Sequence, residues 1–206
     1  MKPGVRITGG EFRGRGLAVP PGARPTEGRV REALFSIWSD RIQGARVLDL
    51  FAGSGVVGLE ALGRGALSAL AVDQSLGAVK TLEANAGKLG EKLLDIRRLT
   101  LPAGLIRVEG PFDLVYADPP YNFNAYVELL ETVAPLLAPD GELAVEHSSR
   151  RELAIEAGAL TRIDARKYGE SAVSFYRLRE ILDDERQQAA FRSVALNNAA
   201  RRLKEP

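Results

Sequence analysis

Between Val47 and Glu146 the chain repeatedly switches its hydrophobic period, and this alternation limits its folds more than any other feature. Short apolar runs at Val47–Phe51, Ala69–Asp73, Ile96–Leu101, Phe112–Ala117 and Glu142–Glu146 read as strands. Segments with helical spacing, Val56–Leu62, Leu76–Leu89 and Ala125–Leu137, lie between them. A strand joined to the next through a helix runs parallel to it, so the pattern predicts an α/β fold with a mostly parallel, doubly wound sheet and helices on both faces. Near the end, Thr161–Tyr168 and Ser171–Leu178 flank Gly169-Glu170 and predict an antiparallel hairpin. Before the alternation, residues 5–19 read as a short β-ribbon built on Val5, Ile7, Phe12, Leu17 and Val19. A helix follows, with Thr26 as its N-cap and Val30, Ala33, Leu34, Ile37 and Trp38 at helical spacing. The expected organisation is a basic arm over 1–41, a core over 42–180 and a helical extension over 181–206.

Composition sets further bounds. With 206 residues, 45% hydrophobic and 27% charged, the chain buries a real core and is not disordered. No apolar run approaches the roughly 20 residues a membrane helix needs, and no signal-peptide pattern opens the sequence, so a cytoplasmic protein without membrane partners is expected. The absence of Cys excludes disulfides, thiolate zinc sites and cysteine nucleophiles. His147 is the only His and follows a strand, which suits a hydrogen-bonded structural role and makes a metal site improbable.

The net charge of +1 hides an asymmetry. Residues 1–41 hold eight cations, seven of them Arg, against four anions; this segment is +4 and the remainder −3. Arginine forks beside turn-forming glycines suit phosphate contacts, so Arg6, Arg13, Arg15 and Arg29 are candidate phosphate-contacting residues.

Two motifs carry the chemistry. Gly53, Gly55 and Gly58 form G-x-G-x-x-G between a strand and a helix, and Asp73 ends the next strand, 20 residues after Gly53, as a ribose-binding carboxylate would. Asp49 lies inside the strand that delivers the loop. An extra carboxylate there gains nothing with a pyrophosphate, but it suits a cofactor with a cationic amino-acid end. S-adenosylmethionine has an α-ammonium, a sulfonium, a ribose and no phosphate, so it fits better than NAD. The second motif, Asp118-Pro119-Pro120-Tyr121, sits at the carboxyl end of a predicted strand. Its prolines remove two N–H donors and leave mainly acceptors beside an aromatic ring. That suits an exocyclic amine: Asp118 and the Pro119 carbonyl each accept one hydrogen, and Tyr121 stacks on the base. Such a nitrogen has to be flipped out or already single-stranded.

With these motifs in view, the sequence resembles the RsmD family of bacterial small-subunit ribosomal RNA guanine-N2 methyltransferases over about residues 5–179. The resemblance rests on several motifs in order. They are Arg6-Ile7-Thr8-Gly9-Gly10-Glu11-Phe12-Arg13-Gly14-Arg15, Arg24-Pro25-Thr26 with Arg29, Arg31, Glu32 and Leu34-Phe35, Leu48-Asp49-Leu50-Phe51-Ala52-Gly53-Ser54-Gly55, Asp118-Pro119-Pro120-Tyr121, Glu146-His147 and Lys167-Tyr168-Gly169. It implies a Rossmann-like class I methyltransferase fold and S-adenosylmethionine-dependent N2-methylation of guanine 966 of 16S rRNA, on RNA already assembled with ribosomal proteins. It also implies cofactor contacts from Asp49, Phe51, Ala52, Gly53, Gly55, Asp73 and Gln74, an Arg-Pro-Thr segment folded back over the cofactor with Thr26 and Arg29 near the methionine end or the target base, and a catalytic set of Asp118, Pro119 and Tyr121. A monomer is expected. Related sequences usually carry an Asp-Ala-type pair after the third strand, near the adenine amine, whereas Arg97-Arg98-Leu99-Thr100-Leu101-Pro102 has no acid there, so Thr100 or backbone atoms are expected to read adenine. An adenine-N6 or cytosine-N4 DNA methyltransferase, or an RNA-binding assembly factor with a cofactor pocket, is the alternative reading.

Overall fold

The computed structural model describes residues 4–21 and 28–179. A two-stranded ribbon, β1 (Val5–Arg6) and β2 (Gly16–Leu17), precedes α1 (Gly28–Ile37). The core then runs β3 (Arg46–Leu50), α2 (Val56–Gly63), β4 (Ser68–Asp73), α3 (Leu76–Leu89), β5 (Leu94–Arg98), β6 (Phe112–Ala117), α4 (Tyr126–Val133) and β7 (Leu137–Ser148). It closes with β8 (Glu156–Ala157), β9 (Leu160–Tyr168) and β10 (Ser171–Leu178). Eight strands form one sheet in the order β5-β4-β3-β6-β7-β10-β9-β8. The first five are mutually parallel, and the last three add as antiparallel neighbours.

The predicted architecture is therefore present, with shifted boundaries. The third core strand is Leu94–Arg98 rather than 96–101, because Leu101 turns away into a 3-10 segment at Ala103–Arg107. The α4 helix stops at Val133, since Pro135 forces a 3-10 turn. Leu137 already belongs to β7, which starts before the predicted Glu142 and shifts register near β6 Phe112. Thr26 and the extension 181–206 lie outside the described residues.

Strand residues alternate between two buried faces, as expected for a parallel sheet covered on both sides. Val47, Ala69, Ala71, Leu114 and Tyr116 pack toward the ribbon, α1, α2 and α3, while Leu48, Leu50, Leu70, Val72, Val115 and Ala117 pack toward α4. The order reverses between β3, whose next strand β4 lies on one side, and β6 on the other. Ligands bind at such a switch point, beyond the carboxyl ends of the strands.

The arm is bolted to the first face by buried charge. Glu60 of α2 is wholly buried, and Arg31 of α1 meets its Oε2 through Nε at 3.0 Å. Arg64 reaches its Oε1 at 2.7 Å, and the Thr8 N–H and hydroxyl also donate to it. Gly10 has φ +72°, and a Cβ there would lie 2.2 Å from the Gly63 carbonyl, so only glycine lets the ribbon approach the end of α2 this closely. The neighbouring Glu11 N–H then donates to that carbonyl at 2.6 Å. At the other end of α1, Glu142 of β7 accepts from Trp38 Nε1 at 2.9 Å and from Arg41 and Arg177.

Candidate active site

Both sequence motifs come to the switch point. In the register of β3 and β6, Leu50 pairs with Ala117, and the Asp118 N–H donates to the Leu50 carbonyl at 3.3 Å. The glycine loop and the Asp118 loop thus leave adjacent strands side by side. A second link is aromatic: the Phe51 and Phe123 rings meet edge-to-face at 5.3 Å, and Phe123 meets Tyr126 at 5.1 Å. Phe51 holds a left-handed φ of 58°, an uncommon conformation for a bulky residue that marks the sharp exit from β3.

Each turn of the glycine loop is held by a side chain. Asp73 Oδ2 accepts the Gly53 N–H at 3.0 Å, and its Oδ1 accepts the Ser75 N–H at 2.8 Å. Asp49 Oδ2 accepts the Gly58 N–H at 3.0 Å in the first turn of α2. Asn85 of α3 donates to the Ser54 carbonyl at 2.8 Å. Gly55 has φ +75°, and a Cβ there would lie 2.1 Å from Leu82 Cδ2, so the loop needs glycine at this position.

Electrostatics distinguish the ligands this loop would accept. Asp49 is 2% exposed, and burial raises its pKa well above the ordinary carboxylate range; the Gly58 hydrogen bond opposes the shift, while the charges of Asp118 and Asp73 add to it. Three carboxylates thus crowd one loop. A phosphate would meet their repulsion, whereas an ammonium or sulfonium would relieve it. The donor set fits S-adenosylmethionine, which carries cationic groups and no phosphate.

Beside Asp73, a cavity of about 420 Å³ is lined by Gln74, Arg98, Leu99, Thr100, Ala103, Gly104, Ile106 and Arg107. Gln74 and Thr100 therefore line the same cavity. Ala52 is buried under the loop, stopping β3 with its N–H bonded to the Val72 carbonyl at 3.1 Å. In the second motif Pro119 is buried, Asp118 is half-buried and Tyr121 is 83% exposed, an aromatic face presented to solvent at the mouth of the site. Behind Asp118, the buried Tyr116 hydroxyl donates to Glu146 Oε2 at 2.6 Å. Burial and the neighbouring carboxylates raise the pKa of Tyr116, so it stays a neutral donor.

His147 is hydrogen-bonded. Its Nδ1 lies 3.0 Å from the Ser148 carbonyl and its Nε2 2.9 Å from Ser174 Oγ. A carbonyl only accepts, so Nδ1 carries the proton and Nε2 accepts from the serine. Burial lowers its pKa and keeps it neutral.

The arm divides its arginines. Arg6, Arg13, Arg15 and Arg29 are exposed, and Arg6 donates one N–H to the Gly14 carbonyl. Arg31 and Arg41 are committed to Glu60 and Glu142, so the arm offers less outward charge than its count of cations suggests. The sequence reading overlooked Glu60, Glu142, Asn85 and the Tyr116–Glu146 pair. A usable signal existed for Glu60: a lone carboxylate in the apolar helix Val56-Val57-Gly58-Leu59-Glu60-Ala61-Leu62 requires an internal cation.

A parallel sheet with a glycine loop and an acid-tipped strand astride its reversal point defines a class I S-adenosylmethionine-dependent methyltransferase fold. The chain matches the family model "Conserved hypothetical protein 95" over residues 5–177 and belongs to that family, the RsmD-type ribosomal RNA methyltransferases. It is similar to ribosomal RNA small subunit methyltransferase D of Escherichia coli strain K12, with 38% identity over 159 residues covering 76% of this chain and 78% of that protein. The putative rRNA methyltransferase YlbH of Bacillus subtilis is 32% identical over 184 residues, covering 85% of this chain and all of that protein. Among solved structures, the putative methyltransferase yhhF from Escherichia coli superposes with a TM-score of 0.74 at 31% identity, covering 84% of this chain and 97% of that one.

Proposed function

We propose that this protein transfers a methyl group from S-adenosylmethionine to the exocyclic N2 of guanine 966 in 16S rRNA, on the small ribosomal subunit or an assembly intermediate, leaving S-adenosylhomocysteine. The observation that supports the reading is the hydrogen bond from the Asp118 N–H to the Leu50 carbonyl, which sets the Asp118 loop beside the glycine loop. Membership of a family that includes rRNA methyltransferases supports the RNA substrate.

When bound, S-adenosylmethionine supplies an electrophilic methyl on a cationic sulfur. Asp49 faces its ammonium, Asp73 its ribose, and Gln74 and Thr100 the adenine. Asp118 and the Pro119 carbonyl accept the two N2 hydrogens of a flipped guanine and turn the nitrogen lone pair toward the methyl. Methyl transfer would leave the nitrogen with one proton to shed, and Asp118 is the group that would take it. Tyr121 stacks on the base, and Arg13, Arg15 and Arg29, with Arg6, hold flanking phosphates. Positioning and preset acceptors supply most of the rate. The protein acts in the cytoplasm as a monomer, without a metal.

The test is the product. Incubated with tritiated S-adenosylmethionine and small-subunit particles from a strain lacking the activity, the protein should give N2-methylguanosine on nucleoside digestion, mapped to position 966. Label only in DNA, or as N6-methyladenosine, rejects the proposal.

A further inference from the structure

Asn85 stands two-thirds of the way along α3, on the side covered by the arm, and is 2% exposed. Its amide is used on two fronts. Toward the arm, Oδ1 accepts the Ala18 N–H at 2.9 Å and Nδ2 donates to the Ala18 carbonyl at 3.0 Å, a two-point pairing with one backbone residue just after β2. Toward the cofactor loop, the second Nδ2 hydrogen goes to the Ser54 carbonyl at 2.8 Å, between Gly53 and Gly55. The amide orientation is settled by its partners: two carbonyls need donors and one N–H needs an acceptor, which only this placement of nitrogen and oxygen supplies.

We infer that Asn85 is a positioning residue that holds the cofactor loop and the N-terminal arm in one fixed relation, so that opening of either loosens the other. The inference rests on the S-adenosylmethionine reading of the loop. Asn is a poor choice inside a helix on propensity alone, and Ala would suit α3 better; tertiary hydrogen bonds are what favour Asn here. The alternative anchors of the arm do not share this geometry. Lys88, one turn further along α3, donates to the Gly16 carbonyl at 2.7 Å and holds the same stretch of arm without a hydrogen bond to the loop. Thr8 and Arg31 grip Glu60 in the middle of α2. Asn85 alone among these joins the arm to the turn that meets the cofactor. Without its Nδ2 donors the half-buried Ser54 and the exposed Ala18 lose the Asn85 partner of their carbonyls, and the turn loses the bond that fixes Ser54 between its two left-handed glycines.

The test uses the full chain and S-adenosylhomocysteine as the probe, with calorimetry for affinity and hydrogen exchange for the arm. Asn85→Ala should bind S-adenosylhomocysteine about tenfold more weakly while keeping a native circular dichroism spectrum. Lys88→Ala should bind as the unaltered protein does. In the unaltered protein and in Lys88→Ala, S-adenosylhomocysteine should slow exchange of the ribbon amides of Ile7 and Gly14, whose N–H groups donate within the ribbon. In Asn85→Ala that slowing should vanish. If Asn85→Ala does not fold, Asn85→Asp replaces it: it is isosteric, keeps the acceptor for Ala18 and sets a carboxylate oxygen against the two carbonyls, with the same outcomes expected. Unchanged affinity in the variant, or ribbon amides still slowed by the ligand, overturns the inference. Failure of the unaltered protein to bind S-adenosylhomocysteine is a separate result that removes the cofactor reading and this inference with it.

Discussion

Asp49 lies beneath the glycine loop, where burial makes its ionised form costly unless a cation stands beside it. Because its pKa is raised on folding, the native state holds this proton more tightly than the unfolded chain, and stability is lost as pH rises through the raised value. Asp49→Asn should therefore raise the melting temperature near neutral pH, measured by calorimetry without ligand. The same substitution removes the partner of a cationic ligand group and should weaken S-adenosylhomocysteine about tenfold or more. In the unaltered protein affinity should climb with pH until Asp49 ionises unaided and then level off; Asp49→Asn should show no such climb. Asp118 predicts the opposite separation. Asp118→Ala should lose about 10²–10³-fold or more in turnover, the scale of one preset electrostatic interaction at a reacting centre, while its S-adenosylhomocysteine affinity stays within a few fold. A variant at full rate would break the mechanism. At this scale the sequence was informative: Asp49, Asp73 and Asp118 were all legible, because each sits at a fixed offset from glycines or prolines whose backbone geometry is local.

At the level of elements, α2 shows what spacing leaves hidden. Its strand-to-helix start was legible from Gly53, Gly55 and Gly58, but the function of Glu60 depends on Arg31 and Thr8, 29 and 52 residues earlier. Glu60→Ala leaves Arg31 buried and unpaired, and removing one partner of such a pair costs about 3–5 kcal/mol. The melting temperature should fall by about 10 °C, on the scale of 2–4 °C per kcal/mol for a domain this size, and the ribbon should become protease-sensitive. The motif Arg6–Arg15 also separates by role: Thr8, Gly9 and Gly10 face α2, whereas Arg13 and Arg15 face solvent. Replacing both arginines with Ala should weaken RNA binding and flatten the log–log salt dependence by about 0.7–0.9 for each phosphate no longer neutralised, read by filter binding at several salt concentrations. An unchanged slope would reduce the two arginines to solvated charges. No local pattern separates Arg31 from Arg29, because only the helix's docking decides which side faces inward.

Across the whole molecule, near-neutral charge comes from opposed requirements. Carboxylates crowd the switch point and arginines populate the arm, but two of those arginines neutralise buried Glu60 and Glu142 inside the fold. The alternation of apolar runs and helical spacing, the glycine loop and the Asp118 turn were determined by the sequence alone, since each depends on φ/ψ preference, period or a proline ring within a few residues. The tertiary structure alone decided that Leu50 and Asp118 are neighbours, that Asn85 joins the arm to the glycine loop, and which arginines of the described arm stay exposed. Those outcomes rest on hydrogen bonds and ion pairs between segments tens of residues apart, whose favourable energy exists only after the sheet order brings the partners together and removes them from water.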